Sequence, residues 1–262
     1  VPILKEVQIV YSPLLVDVKD FPDHVDATLI EGSIRTDHDL QLVKEVREKS
    51  SVVIALGSCA CFGGIYALLN IFNTDEAFKY VYERTVSTSK GGFPSEGVYK
   101  VLDKIRPISD VIKVDYELPG CAAEPSEIEA TLVGLLKGNL PQLSSKSVCE
   151  ECERERLEKP PKSFKRIFQE PEPKRCLLEQ GYPCMGPSTR AGCKAKCPAV
   201  GIPCEGCRGP SVVGWDQGVA MLDALASISL DMVKNYDLKM YTGIFHRFTY
   251  AKSILAKLSR KG

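Results

Sequence analysis

Apolar residues in the first 140 positions fall into short runs separated by amphipathic stretches. "VQIVYSPLLV" (Val7–Val16) opens with a strand-like run, and "DATLIEG" is an apolar run ending at Glu31-Gly32. "DHDLQLVKEVREKS" sets Leu40, Val43 and Val46 at helical spacing. "SVVIALGSCACFGG" reads as a buried strand entering a glycine-rich turn, and "VIKVDYELPGC" as another strand ending in a turn. "EPSEIEATLVGLLKGNLP" predicts a helix, with Ser126 and Glu129 spaced as a capping box and Gly138 near its end. Strands alternating with helices predict an α/β layer with a mostly parallel sheet over residues 1–140.

The pattern changes after that. Residues 141–210 hold ten prolines and eight cysteines but few long apolar runs. Such a segment is not expected to build a conventional core, and bound metal would have to hold it. Helical patterns return in "WDQGVAMLDALASISLDMV" and "GIFHRFTYAKSILAKLSRK". The expected division is therefore residues 1–140 and 141–262, with no internal repeat of fixed period.

Charge adds only exclusions. The 34 basic and 34 acidic side chains give no net charge, which argues against nucleic acid or a membrane surface as main partner. No run is long and apolar enough to span a bilayer. His24 and His38 sit in polar stretches and read as solvated; His246, between Phe245 and Phe248, reads as structural.

The eleven cysteines alter the picture most. An odd number without an export signal argues against a disulfide framework and for thiolates that bind soft metals. Cys193, Cys197, Cys204 and Cys207 lie within fifteen residues as C-x3-C-P-x5-C-x2-C. Zinc ribbons usually have two C-x2-C pairs and a longer loop, whereas ferredoxin runs place proline after a ligand cysteine. The spacing favours an iron–sulfur cube and leaves zinc open. Cys149, Cys152, Cys176 and Cys184 make a second complete set. Two adjacent four-thiolate clusters suggest a wire for single electrons. In the first half, Cys59 and Cys121 each follow a strand and Glu31 ends another; parallel sheets bind ligands at the carboxyl ends of their strands. The bland alternative makes Cys59 and Cys121 small buried hydrophobes.

These residues resemble a known family, the small subunits of nickel–iron hydrogenases, from about Val7 to Trp215. "GSCACFGG" and "LPGC" are similar to the family's two proximal turns, "CLLEQGYPCMGPSTRAGC" to the stretch joining distal and medial clusters, and "GIPCEGCRGP" to the family's closing cysteine motif. The resemblance implies a flavodoxin-like domain followed by an irregular, iron–sulfur-stabilised C-terminal domain with helices. It implies a proximal cluster bound by Cys59 and Cys121 near Glu31, a distal cluster on Cys149, Cys152, Cys176 and Cys184, and a medial cluster on Cys193, Cys197, Cys204 and Cys207. Hydrogen chemistry would belong to a large-subunit partner, this chain relaying its electrons.

Three departures refine this. Cys149 stands where periplasmic members often carry a histidine, and Cys197 supplies a fourth medial thiolate. Both resemble the cytoplasmic archaeal branch of methanogens, and within it the F420-non-reducing, methyl-viologen-reducing type. That implies an electron-accepting iron–sulfur subunit and heterodisulfide reductase as acceptors. The deazaflavin-reducing gamma subunit is the alternative, but its C-x2-C-x2-C-x3-C-P run is absent. A respiratory quinone reductase subunit would lack the eight-cysteine domain, and a zinc scaffold would carry no electrons. Third, the family's early Cys-x-x-Cys turn is missing, because no cysteine precedes Cys59. "VPILKEV" reads as the end of a helix, so about 20–40 further residues, one strand and one helix, are expected before Val1. Two 4Fe-4S clusters are then complete on this chain, and a proximal third needs that segment. Cys61 could offer a further ligand locally.

Overall fold

Val53, Ile54 and Ala55 are fully buried, as a strand covered on both faces requires. They belong to β3 (Ser50–Leu56), the centre of a parallel sheet with β1 (Val25–Ile30) and β5 (Tyr116–Leu118), in the order β1-β3-β5. Leu29 pairs with Ile54 on one side, and Ile54 with Tyr116 on the other. β2 (Ile34–Thr36) and β4 (Val101–Arg106) form a separate antiparallel pair. The computed structural model describes residues 5–87, 89, 91–159, 161–166, 169–212, 215–234 and 238–258. Residues 1–4, on which the helix-end expectation partly rests, lie outside them, as does the end of "KLSRKG".

α1 (Asp37–Lys49) links β2 to β3. Thr36 Oγ1 accepts from the Asp39 amide at 3.1 Å, and the Asp39 carboxylate accepts from the Thr36 amide at 3.0 Å. This reciprocal cap contributes about 1 kcal/mol. Val43 and Val46 are buried, and Leu40 packs in the cluster of Ile34, Val43, Ala55, Phe62 and Ile108. α2 (Gly57–Phe62) follows β3 directly; α3 (Thr74–Lys79), continued by a π-helical turn at Tyr80–Arg84, and α4 (Pro125–Leu136) come later in this half.

Five expectations need correction. Residues 7–16 form no strand; Leu15 and Val16 turn back onto the Ser12 carbonyl, and the Leu14 and Leu15 side chains are exposed. The "VIKVDYELPGC" strand is only three residues long, because a 3-10 turn at Ile108–Asp110 precedes it. Ser126 and Glu129 make no capping box. Pro125 takes the first helical position, where its missing N–H costs nothing, so Ser126 already lies inside the helix. The C-terminal helical patterns break into α6 (Gln217–Ile228), α7 (Leu230–Lys234), α8 (Leu238–Phe245) and α9 (Ile254–Leu258), α5 being the short helix Lys196–Ala199. At one break, Ser229 takes extended backbone and donates its hydroxyl to the Pro161 carbonyl at 2.8 Å. His38 is half-buried and stacked on Tyr99 at 4.2 Å, not fully solvated.

The chain forms two compact units, residues 1–63 with 72–142, and residues 64–71 with 143–262. The second does have an apolar core. Val148, Leu177, Leu178, Tyr182 and Met185 pack with Met221, Leu225, Met232 and Phe245, and with Cys184 and Cys204. Residues 141–210 alone lack the apolar surface for this; the helices after Trp215 complete it.

Candidate metal centres

Because β1, β3 and β5 run parallel, their carboxyl ends share one edge. Glu31 follows β1, Cys59 sits in the first turn of α2 after β3, and Cys121 lies three residues beyond β5. The Ser58 amide donates to the Gly120 carbonyl at 2.9 Å and ties the two cysteine turns together. Gly57 (φ 83°) and Gly120 (φ 149°) both hold backbone conformations that side chains rarely adopt. A Cβ on Gly57 would touch the Gly120 carbonyl at 3.4 Å, and one on Gly120 would come within 2.6 Å of the Ala122 carbonyl. Burial pushes the Cys59 thiol up; Cys121 and Glu31 add to the push and Arg35 opposes it. Arg35 is a neighbour that strand pattern alone did not disclose. Cys61 faces the other way. It is fully buried and its thiol donates to the Ala55 carbonyl at 3.3 Å, so it is spent in the core and offers no ligand to this edge. We expect Gly120→Ala to displace the Cys121 turn and cost more than about 1 kcal/mol, with any group bound between Cys59 and Cys121 lost. Thermal unfolding together with metal analysis checks this, and an unchanged melting temperature would count against it.

In the second unit, Cys149, Cys152, Cys176 and Cys184 all line a single cavity of about 540 Å³. Val148, Leu177 and Leu178 supply its apolar wall, α6 contributes Ala224, Ser227 and Ile228, and Arg154, Arg156, Glu158, Lys159 and Glu179 bring charge. Burial pushes the Cys149 thiol up to about 11, against the pull of Arg156. Burial pushes Cys184 up to about 12; the Gly186 and Cys204 amides pull it down, while Cys149 and Cys176 raise it. Gly186 leaves room for the sulfurs, since a Cβ there would lie 3.0 Å from Cys149 Sγ and 3.7 Å from Cys184 Sγ. Among the described residues no three His, Cys, Asp or Glu side chains converge on one point as a single ion needs. The four thiols instead surround a space, which fits a polynuclear group with soft donors.

The remaining four cysteines follow in the same unit. Cys197 lies in the short helix α5 and is exposed. Burial raises its thiol, with Cys193 and Glu205 adding to the rise. Cys204 is buried and raised well above the ordinary range, with Cys184 and Cys207 contributing and the Gly206 amide and Thr189 hydroxyl opposing. The Cys204 amide donates to Cys184 Sγ at 3.3 Å, and the Met185 amide to the Cys204 carbonyl at 2.8 Å. None of the eleven cysteines is in a disulfide.

Three supports escaped sequence reasoning. Glu151 accepts the Gly192 and Lys194 amides, both at 2.9 Å, and wraps the Cys193 turn onto the Cys149 turn. Buried Arg208 donates to the Ala191 carbonyl at 3.0 Å, just before the same turn. Arg154 donates to the Glu172, Arg175 and Pro198 carbonyls, joining three cysteine-bearing segments. Charged residues next to a cysteine in "CEEC", "CER" and "CRG" were the available signal.

Comparison with known proteins gives a family. Residues 1–135 match the family described as NADH ubiquinone oxidoreductase, 20 Kd subunit. The G subunit of the vhu F420-non-reducing hydrogenase of Methanocaldococcus jannaschii is 40% identical over 98% of this chain and 89% of its own length. The G subunit of the F420-non-reducing hydrogenase of Methanothermobacter marburgensis is 36% identical over 96% of this chain and 87% of its own. Among solved structures, a chain of an NAD+-reducing nickel–iron hydrogenase in the H2-reduced state aligns at 29% identity and a TM-score of 0.47, over 50% of this chain and 74% of that one.

Proposed function

The chain belongs to the small-subunit family of nickel–iron hydrogenases, and from that premise we propose that it is the iron–sulfur small subunit of an F420-non-reducing hydrogenase, carrying two complete 4Fe-4S clusters. A hydrogenase small subunit transfers electrons for a large-subunit partner, and its family consists of iron–sulfur proteins. Cys149, Cys152, Cys176 and Cys184 hold the distal cluster in this reading. Cys193, Cys197, Cys204 and Cys207 hold the medial one. Cys59 and Cys121, beside Glu31, give two ligands to a proximal cluster. The single cavity lined by the four distal thiols carries the reading.

Bound clusters supply one-electron carriers at potentials that the surroundings tune. The chain's own residues do the rest. Leu177, Leu178 and Val148 keep water from the Cys184 side of the cavity. Gly186 leaves space between two sulfurs. The Cys204 amide donates to Cys184 Sγ, and the Gly186 and Gly206 amides pull the Cys184 and Cys204 thiols down, which steadies the thiolate form.

Electrons from hydrogen oxidation in the large subunit would leave at the distal site, toward an iron–sulfur subunit and heterodisulfide reductase. The segment from Glu153 to Arg175 is the proposed docking region, because Arg154, Arg156, Glu158 and Lys159 lie both on it and around the cavity. Residence in the reducing cytoplasm belongs to the same reading, supported by eleven cysteines outside any disulfide. Among the described residues no helix is long and apolar enough to cross a membrane.

Anaerobic purification with the large subunit, followed by metal analysis and EPR, tests this. Brown protein with about eight irons from the two complete clusters is expected. Colourless protein containing zinc in place of iron would overturn it.

A further inference from the structure

Arg156 is held where a cation acts on the distal sulfurs. It lines the cavity together with all four cysteines, and its charge acts first on Cys149. It also feels the charges of Cys176 and Glu179. Its backbone neighbours are fixed on both sides. The Glu155 amide donates to the Lys174 carbonyl at 2.7 Å, and the Glu155 carbonyl accepts from the Cys176 amide at 2.8 Å. The Leu157 and Glu158 amides donate to the Glu179 carboxylate at 2.8 and 3.2 Å, and Glu179 is only 8% exposed. The loop therefore presents Arg156 from an anchored frame, and little is lost in ordering it.

The other charges around the cavity are differently engaged. Arg154 spends its guanidinium on three carbonyls. Glu179 spends both oxygens on the two amides. Arg156 is left to act on the sulfurs, its charge bearing on Cys149 and Cys176. Adding an electron to a group held by four thiolates adds negative charge in a partly dry cavity. A guanidinium there stabilises the reduced form by its charge.

We propose that Arg156 is a positioning residue that raises the reduction potential of the distal group, making it the site where electrons collect before they leave the chain. The proposal rests on the cluster assignment above. EPR-monitored redox titration of the anaerobically purified hydrogenase complex tests it, with iron analysis alongside. Arg156→Gln is expected to lower the distal midpoint by about a tenfold change in equilibrium constant, 59 mV for one electron, with iron content and the medial midpoint unchanged. Arg156→Lys keeps the charge but carries it on a shorter, freer stem, and should fall between. An unmoved midpoint in the Gln variant at full iron content overturns the proposal, as does loss of the cluster from both variants, which marks a purely structural role. Should the Gln variant alone lose its cluster, the Lys variant decides: a midpoint below wild type supports the proposal and an equal one overturns it. A wild-type complex with no distal signal removes the cluster assignment itself, and the proposal with it.

Discussion

Replacing Cys184 with alanine will disturb both C-terminal cysteine sets, whereas replacing Cys152 will disturb one. Cys184 is 7% exposed and its sulfur accepts the amide of Cys204, which belongs to the other set. The Met185 amide returns to the Cys204 carbonyl, so two hydrogen bonds clasp the segments. Alanine at 184 removes a proposed ligand, leaves the Cys204 amide unpaired in the core at a cost of about 1–3 kcal/mol, and opens a cavity in the cluster of Leu177, Met185 and Met221. Cys152 is half-buried, and its amide makes only a local turn to the Cys149 carbonyl at 3.4 Å. Cys152→Ala should lose about half of the iron of the two proposed clusters and keep the medial EPR signal. Cys184→Ala should lose more than half, with the medial signal altered and the melting temperature lowered. Equal iron loss in the two variants, with the medial signal intact in both, would refute this coupling.

Asp216→Ala is expected to cost about 3 kcal/mol. Asp216 caps α6 by accepting the Val219 amide at 3.0 Å, and its other oxygen accepts the Ile254 amide at 2.7 Å, at the start of α9. Exposed ion pairs contribute little, but the contact of Asp216 with His246 Nε2 at 2.8 Å is buried, with side-chain exposures of 4% for His246 and 5% for Asp216. Gly218 makes room for this ring, because a Cβ there would overlap it. Burial alone would raise the Asp216 carboxyl, but the bonds from His246, Val219 and Ile254 outweigh it and bring it down to about 2 from 3.8. A folded value below the unfolded one favours folding when the group is ionised. The contribution is therefore complete above about pH 4 and is lost as pH falls toward 2. Thermal unfolding of wild type and Asp216→Ala across that range should show curves that converge in acid. A variant within about 0.5 kcal/mol of wild type at neutral pH would rule out the role.

Much of the chain could be read from its sequence, for local reasons. β1, α1 and β3 are written in periodicity and in the Thr36 turn, which depend on residues a few positions apart. The glycines before Cys59 and Cys121 announce turns, because only glycine is at ease at their φ values. Soft-ligand spacing singled out eight cysteines as candidates, their place after strands added Cys59 and Cys121, and family resemblance gave the hydrogenase small subunit that comparison also gives.

What the tertiary structure decided involves partners distant in sequence, which no local pattern encodes. Cys59 and Cys61 look alike in "SCAC", yet one lies at the sheet edge beside Cys121 and the other points at Ala55. The proline- and cysteine-rich segment has a core only because Met221, Leu225 and Phe245 close over it. Arg156, Glu151 and Asp216 read as ordinary surface charges along the chain. Folding alone sets them against Cys149, the Cys193 turn and His246, where lost water makes each charge and hydrogen bond count for more.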